Sequence, residues 1–440
     1  MTQTRIIVLG AGPAGAATAL GLKRLGYQVS VIGEARSFSA LEGISERVIQ
    51  GMKHAGFKRA TTDLPEPSAR NASWNGETNQ ANTECLIDRQ HVDQLIVQDL
   101  INADIPVIQQ RVSQVSLDPV CQVTLTNGEH HQADFLVEAR GRAAPVTGLQ
   151  RFRGPETVSV LQHWQGPEIE PGSAAVSLPD GWAWMAAKQD GRRYLQLTLD
   201  VSEKKLPQKD QLTDYCAQRF RQIPQARAFI EHASPVGTPY GRISTPVLFE
   251  QTVGDNWIRV GDAAMAVDPL SGNGIFQALS SALQAPVVIN TLIQCPERKA
   301  LAREFYQQRV SGLFYRFARI GRDFYAMEER WQENSFWQQR RRWPDAEPGH
   351  QNVSFEQLRV NTMPVMNNNL IEARKVVVTP DQPLGIWHLG GIELAGVIEA
   401  IHEAPENTLK EQLSQFRFSD NQFRGLANWL IQNGYQGNIV

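Results

Sequence analysis

The 440-residue sequence predicts an α/β fold with added antiparallel β structure. The expected parts are a Rossmann-type dinucleotide-binding domain, an inserted sheet that carries a substrate pocket, and a small α+β, winged-helix-like domain at the carboxyl end. Three observations predict this. The chain opens on a strand, a glycine loop and a helix; short strands separated by turn residues fill its middle; three helical patterns follow a polar linker near its end.

The opening stretch is Arg5 to Gly15, RIIVLGAGPAG. Ile6 to Leu9 form an apolar run suited to a central parallel strand buried on both faces. Gly10, Gly12 and Gly15 then complete G-x-G-x-x-G, with Pro13 and Ala14 leading into a helix to Arg24. Gly10 permits the tight turn, Gly12 admits a pyrophosphate to the backbone, and Gly15 lets helix and strand pack closely. Free N–H groups at the helix start favour phosphate. A second strand, Tyr27 to Ile32, ends at Glu34, where a carboxylate can hold ribose hydroxyls.

Composition narrows the class. Hydrophobic residues make up 42% and charged residues 20%, ordinary for a globular protein, and the net charge of −3 gives no nucleic-acid-like basic excess. No unbroken apolar run of about 18 residues is evident, so no membrane-spanning helix is expected. No signal peptide is expected either, because the first apolar run is short and belongs to the core strand. Cys85, Cys121, Cys216 and Cys295 lack C-x-x-C spacing and read as reduced thiols of a cytoplasmic protein; no metal site is expected.

Glu46 to His54 is a helix pattern after Ser45, and Arg47 on it reaches either a cofactor phosphate or solvent. Thr61 to Asn82 is polar and reads as a loop with short strands, Trp74 in one of them. Val92, Leu95, Ile96 and Leu100 fall at helical spacing after Asp88, a good N-cap. Strands follow between Ile105 and Glu138, with Asn127-Gly128 as a hairpin turn. Further strands span Val158 to Trp164, Ala174 to Leu178, Trp182 to Ala187 and Tyr194 to Leu199. Trp182 and Trp184 alternate and so share a face; with Trp164 they line an aromatic pocket or lie in the core. Gln211 to Ala228 reads as one helix, and Pro235 to Phe249 returns to the first domain.

Trp257 to Val260 is another buried strand, followed by Gly261-Asp262 at its carboxyl end, where ligands of open α/β sheets bind. Asp268-Pro269-Leu270-Ser271-Gly272-Asn273-Gly274 comes next, then Ile275 in a helix. Leu301 to Arg342 is helical, rich in aromatics, and ends in Arg340-Arg341-Arg342, read as a solvated helix end or a partner patch. The linker Trp343 to Gln351 precedes the last domain, 352–440, which suits a protein or peptide partner better than DNA. The expected divisions are 1–150 with 236–343 for the dinucleotide domain, and 151–235 with parts of 60–85 for the substrate sheet.

The order G-x-G-x-x-G, Gly261-Asp262, Asp268-Pro269 and Gly272-x-Gly274 resembles the single-component FAD monooxygenases and flavin-dependent halogenases. Asp88-Arg89 resembles that family's aspartate–arginine segment, Gly181 to Met185 its tryptophan motif, and FLVEARGR its D-A-[ST]-G-R run. Glu138 and Arg140 depart from that run, and Ala186-Ala187 replace Ile-Pro of the tryptophan motif. The resemblance implies FAD, held by Gly10, Gly12, Pro13, Ala14, Gly15, Glu34, Arg47, Arg89, Asp262, Gly274 and Ile275. It places Pro269, Gly272, Asn273 and Gly274 against the flavin ring, and Trp164, Trp182 and Trp184 around the substrate. It further implies oxygen as co-substrate, reduction by NAD(P)H or a separate reductase, and a flavin C4a-hydroperoxide as oxidant. The family's halogenating lysine precedes the aspartate–arginine helix; Ser68 to Trp74 stands there without one, which favours hydroxylation. The extra domain and missing lysine resemble a branch that hydroxylates protein-bound tryptophan in tryptophylquinone biogenesis, during maturation of quinohemoprotein amine dehydrogenase. A small aromatic substrate, a tryptophan or phenol halogenase, an isoprenoid-type flavin reductase and a flavin-binding scaffold remain open. His163 and Tyr240 are candidate bases, each with a plainer structural role.

Overall fold

The computed structural model describes residues 4–438 apart from 35, 37, 119, 147, 203–205 and 273. It divides into two compact units, 1–286 with 313–347 and 287–312 with 348–440.

The first unit contains the dinucleotide sheet. Five parallel strands lie in the order Trp257–Arg259, Phe135–Glu138, Arg5–Leu9, Gln28–Ile32, Val107–Ile108. Arg5–Leu9 is central, and Ile6 to Leu9 are all buried, as a strand covered on both faces must be. One face lies under the meander Val112–Ser116, Cys121–Leu125 and His130–Ala133, whose Cys121, Val123 and Leu125 pack with Ile7, Leu9 and Leu136. On the helix Pro13–Arg24, Gly21 lies against Pro286 of the helix Gly274–Gln294, so closely that a Cβ on Gly21 would stand 2.5 Å from the proline Cγ.

Pro286 has no N–H, so the carbonyl of Ala282 loses its helical donor. Thr18 Oγ1 offers a partial replacement, sharing its one proton between Ala282 O at 3.3 Å and Ala14 O at 2.9 Å. Gly274–Gln294 is also long and apolar enough to cross a membrane by length and composition (mean hydropathy 1.3). The sequence expectation of no such segment counted only unbroken apolar runs. Some 56% of its most apolar window is buried within the protein, and it serves as a core helix.

The second sheet has eight strands, ordered Ser234–Ile243, Thr157–Gln165, Arg192–Asp200, Gly181–Ala187, Gly172–Leu178, Ser68–Trp74, Glu77–Asp88, Leu41–Ile44. Two sequence expectations are corrected here. The polar stretch from 68 to 88 is one long hairpin, turned by Asn75 and Gly76, both at positive φ, and recruited into the sheet by parallel pairing with Gly172–Leu178. Ser234–Ile243 also stays in this sheet as its edge, so the chain returns to the first sheet only after Ile243. The expected helix 211–228 is broken at Pro224 into Leu212–Arg221 and Arg227–Ile230.

One face of the large sheet is a conventional core: Val160, Met185, Leu195 and Leu197 pack with Cys216 and Phe220 of the helix Leu212–Arg221. The opposite face carries Trp182 and Trp184, and at one end meets Tyr325, Phe336 and Trp337. Trp337 donates from its indole to Leu178 O at 3.0 Å. Arg340, expected in a solvated or partner-binding run, is buried and pairs with Asp200 at 3.1 Å.

The second unit contains the hairpin Arg359–Asn367/Leu370–Val378, the helices Leu394–Glu403, Leu409–Gln412 and Asp420–Gln432, and parts of two long helices. Its core joins Val377 to Ile398, Leu413, Leu426 and Leu430. The hairpin precedes the three helices, whereas a winged helix carries its wing after them. Its turn, Asn368-Asn369, is fixed by Asn290, whose amide donates to Asn369 O at 2.7 Å.

Candidate active site

The glycine loop is shaped by close backbone approach. Gly10 has φ +109°, and a Cβ there would stand 2.4 Å from Ala139 O; a Cβ on Gly15 would stand 1.9 Å from Gly10 O. Gly12 differs, since a Cβ there would meet nothing within 4 Å. It is the N-cap of the helix Pro13–Arg24 and has no side-chain cap, so the first-turn N–H groups open onto that space. The cradle fits a pyrophosphate. Ala14 is buried beneath it, and Glu34 is exposed just beyond the second strand.

Asp262 follows the outer strand Trp257–Arg259, its carboxylate 3.5 Å from Arg142 Nε. Burial raises its pKa against the opposing charges of Arg142 and Arg242, yet 39% of the side chain is accessible. That combination marks the wall of a narrow cleft, not packed core. Glu42 is similar: 28% accessible, burial opposing its charge, and held below the usual carboxylate range by Arg89, Arg242 and Arg36.

The loop Asp268 to Gly274 is tied from behind. Asp268 accepts from Leu270 N at 2.9 Å and from Tyr325 Oη at 3.0 Å, and Trp182 Nε1 donates to the same Tyr325 oxygen at 3.2 Å. Burial raises the Asp268 pKa, and it places the Tyr325 phenol well above its ordinary value. Pro269 is half-buried, Gly272 has φ +61°, and Gly274 opens the following helix with nothing within 4 Å of where a Cβ would lie. Ile275 is buried beside it. Asn273 lies outside the described residues. The open backbone at Gly274 suits a flat ring laid along the loop.

The expected arginines differ in what they have left to offer. Arg89 is buried and donates to both oxygens of Glu42 at 2.9 Å and to Asp93 at 3.1 Å. Burial works against its charge, and the two carboxylates outweigh that and keep it protonated. Arg47 is exposed and lies 4.1 Å over the ring of Phe276. Glu138 and Arg140, the two departures from the family pattern, pair with each other: Arg140 Nε donates to Glu138 Oε1 at 3.0 Å.

The tryptophans divide by strand register. Trp164 pairs across to Arg193 and thence to Ala187, which puts it on the helix-covered face with Met185 and Phe220. It is a core residue, 3% exposed, with its indole donating to Gln162 Oε1 at 2.9 Å, and the expectation that it lines the pocket is corrected. Trp182 and Trp184 are on the other face, as their alternation requires. Trp182 is buried as a tie to Tyr325, while Trp184 is half-buried beside Phe38, Leu161 and Tyr194.

Sequence reasoning missed Phe38 and Tyr194. His163 lies 4.8 Å from the ring of Tyr194, and Phe38 stacks on Tyr240 at 5.7 Å. Burial lowers the His163 pKa, with the Ser39 backbone and Asp88 opposing, and its Nε2 has no hydrogen-bond partner among the described residues. Tyr240 is 49% exposed and forms the rim. Only strand pairing discloses this group, because its members come from distant segments.

A family model, pyridine nucleotide-disulphide oxidoreductase, matches residues 4–165. A solved peptidyl tryptophan dihydroxylase, QhpG, described as essential for tryptophylquinone cofactor biogenesis, is 48% identical, with a TM-score of 0.88 over 99% of this chain and all of the other. A tryptophan 2-halogenase of Chondromyces crocatus is 25% identical over 93% of this chain and 82% of its own length. The halogenase CmlS shares the fold at 14% identity, with a TM-score of 0.80 over 98% of this chain and 94% of that one. This chain belongs to the family of FAD-dependent monooxygenases that contains the peptidyl tryptophan dihydroxylase.

Proposed function

We propose that the chain hydroxylates an indole ring presented as a tryptophan side chain within a polypeptide. The observation that carries this reading is its 48% identity, end to end, with a dihydroxylase of peptidyl tryptophan. The aromatic face supports it. Trp184 and Tyr194 offer flat walls to an electron-rich ring. The rim is apolar and accessible, with Val236 at 52% and Tyr240 at 49% exposure, which suits a chain-borne substrate.

Bound FAD supplies the oxidising power: two electrons and oxygen enter, one oxygen atom goes to the substrate ring and the other leaves as water. The protein binds, orients and excludes water. Gly10, Gly12, Pro13, Ala14 and Gly15 hold the pyrophosphate, and Glu34 the adenosine ribose. Arg47 would meet the phosphates from its exposed position, whereas Arg89 would act at one remove, by fixing Glu42 in the cleft wall. Asp262 accepts from a ribityl hydroxyl. Pro269, Gly272, Gly274 and Ile275 would bound the flavin ring, where backbone N–H groups would favour negative charge on it. Trp182 holds the loop through Tyr325. The reductant is NAD(P)H or a separate reductase.

The test compares substrates. FAD-loaded protein with a reductant should oxidise a tryptophan-bearing polypeptide with kcat/KM at least about tenfold above free tryptophan, a difference of about 1.4 kcal/mol. Turnover confined to a simple phenol, or bromination in the presence of bromide, contradicts the reading.

A further inference from the structure

Arg70 has no role in the site as built so far. It lies on the strand Ser68–Trp74 opposite Ser173, which in turn faces Ala186, so its side chain shares the aromatic face with Trp184. Its Nη1 lies 4.0 Å from the point where a Cβ on Gly272 would stand, beside the loop that suits the flat ring. The adjoining strand provides Glu84, 8% accessible, with one carboxylate oxygen 3.9 Å from Arg70 Nε and the other taking a short hydrogen bond from Ser173 Oγ. Gly43 makes room for that carboxylate, since a Cβ there would stand 2.1 Å from it.

What distinguishes Arg70 is that, among the described residues, neither its Nη groups nor its Nε makes a hydrogen bond, and its one charged neighbour is Glu84 at 3.9 Å. Arg89 and Arg340 share a buried Nε without a partner, but their Nη groups donate to carboxylates and carbonyls of the protein. Arg70 Nε is buried with no hydrogen-bond partner among the described residues, and Glu84 stands beyond hydrogen-bond reach. About a quarter of the side chain remains accessible (26%). A partly desolvated guanidinium is costly unless negative charge meets it. Of its nitrogens, Nη1 is the one that lies beside the Gly272 loop.

We propose that Arg70, steadied by Glu84 and Ser173, is a fixed cation of the flavin pocket that stabilises the negative charge the ring gains on reduction. The inference rests on placing the flavin ring along the Asp268–Gly274 loop. Two electrons and one proton enter the ring, leaving one net negative charge for the guanidinium to meet. Arginine suits the task because it stays protonated at any working pH. Glu84 is a positioning residue: it holds the guanidinium while taking none of its hydrogen bonds.

The test is the midpoint potential of FAD bound to the wild type, R70Q, R70K and E84Q, by reductive titration against a reference dye without substrate. R70Q should weaken the preference for reduced over oxidised FAD about tenfold, equivalent to about 30 mV for a two-electron couple. R70K should recover most of that preference, and E84Q should move it the opposite way by several-fold. Equal potentials in R70Q and wild type, or E84Q shifting in the same sense as R70Q, would overturn the proposal. Should R70Q fail to retain FAD, the comparison of E84Q with R70K and wild type decides on the same criterion. The measurement needs no substrate, so it stands or falls separately from the tryptophan assignment.

Discussion

At Gly12 and Gly15 one residue type answers two different demands. A side chain on Gly15 would collide with the Gly10 carbonyl, so Gly15→Ala should cost about 1–3 kcal/mol of stability with or without FAD. A methyl on Gly12 meets only open space, so Gly12→Ala should fold with an unchanged melting temperature in the FAD-free protein. It should bind FAD at least about tenfold more weakly, because the methyl occupies the approach of the pyrophosphate. Calorimetric unfolding beside FAD titration checks both. Such residues are legible from sequence because loop, helix and strand are contiguous there. Trp164 was not legible. Its type suits a pocket, but its face depends on register with strands some 30 residues away in sequence. Arg70 was hidden too, because Glu84 and Ser173 reach it only by sheet pairing and Gly272 only through a distant loop.

Among elements, the helix Gly274–Gln294 and the 68–88 hairpin show how tertiary partners complete what local sequence leaves open. Thr18→Val should leave the Ala282 carbonyl without its donor and destabilise the protein by about 1–3 kcal/mol, read as a shift in the denaturant midpoint. The hairpin is anchored by Glu328, which is fully buried and accepts from Asn75 N at 2.7 Å, Ser177 Oγ at 2.6 Å and Arg330 Nε at 2.9 Å. Burial opposes its charge, but these donors bring its pKa from 4.5 down to about 2. A depressed carboxylate stabilises fully above the unfolded value, and that stability is lost as pH falls from about 4.5 toward 2. Glu328→Gln should therefore lower stability at neutral pH by on the order of 3 kcal/mol and flatten its decline across that acid window. Equal acid unfolding curves for variant and wild type would contradict this. The Asn75-Gly76 turn was a readable hairpin signal; the polarity of the flanking residues obscured it, because this hairpin gains its partner from a distant parallel strand.

For the whole molecule, the nucleotide-binding architecture was legible because its signals are short and ordered along the chain: the glycine loop, Gly261-Asp262 and the Asp268–Gly274 loop. The large sheet was legible as separate strands, but its assembly was not, since strand order departs from sequence order at Ser68–Trp74 and Ser234–Ile243. The second unit shows the same limit. Its helices and hairpin follow local patterns, yet 287–312 also belongs to it, made of the end of the helix Gly274–Gln294 and the first half of the helix Lys299–Ala326.

The destination of the oxygen atom separates a tryptophan hydroxylase from its relatives. FAD-loaded protein, a reductant and isotopically labelled oxygen should be incubated with a tryptophan-bearing polypeptide, free tryptophan and a simple phenol, each with and without bromide. Mass spectrometry with fragmentation then locates the product. Labelled oxygen should appear on the indole of the polypeptide tryptophan, and bromine nowhere. Label found only on the phenol, or a brominated product, would contradict it.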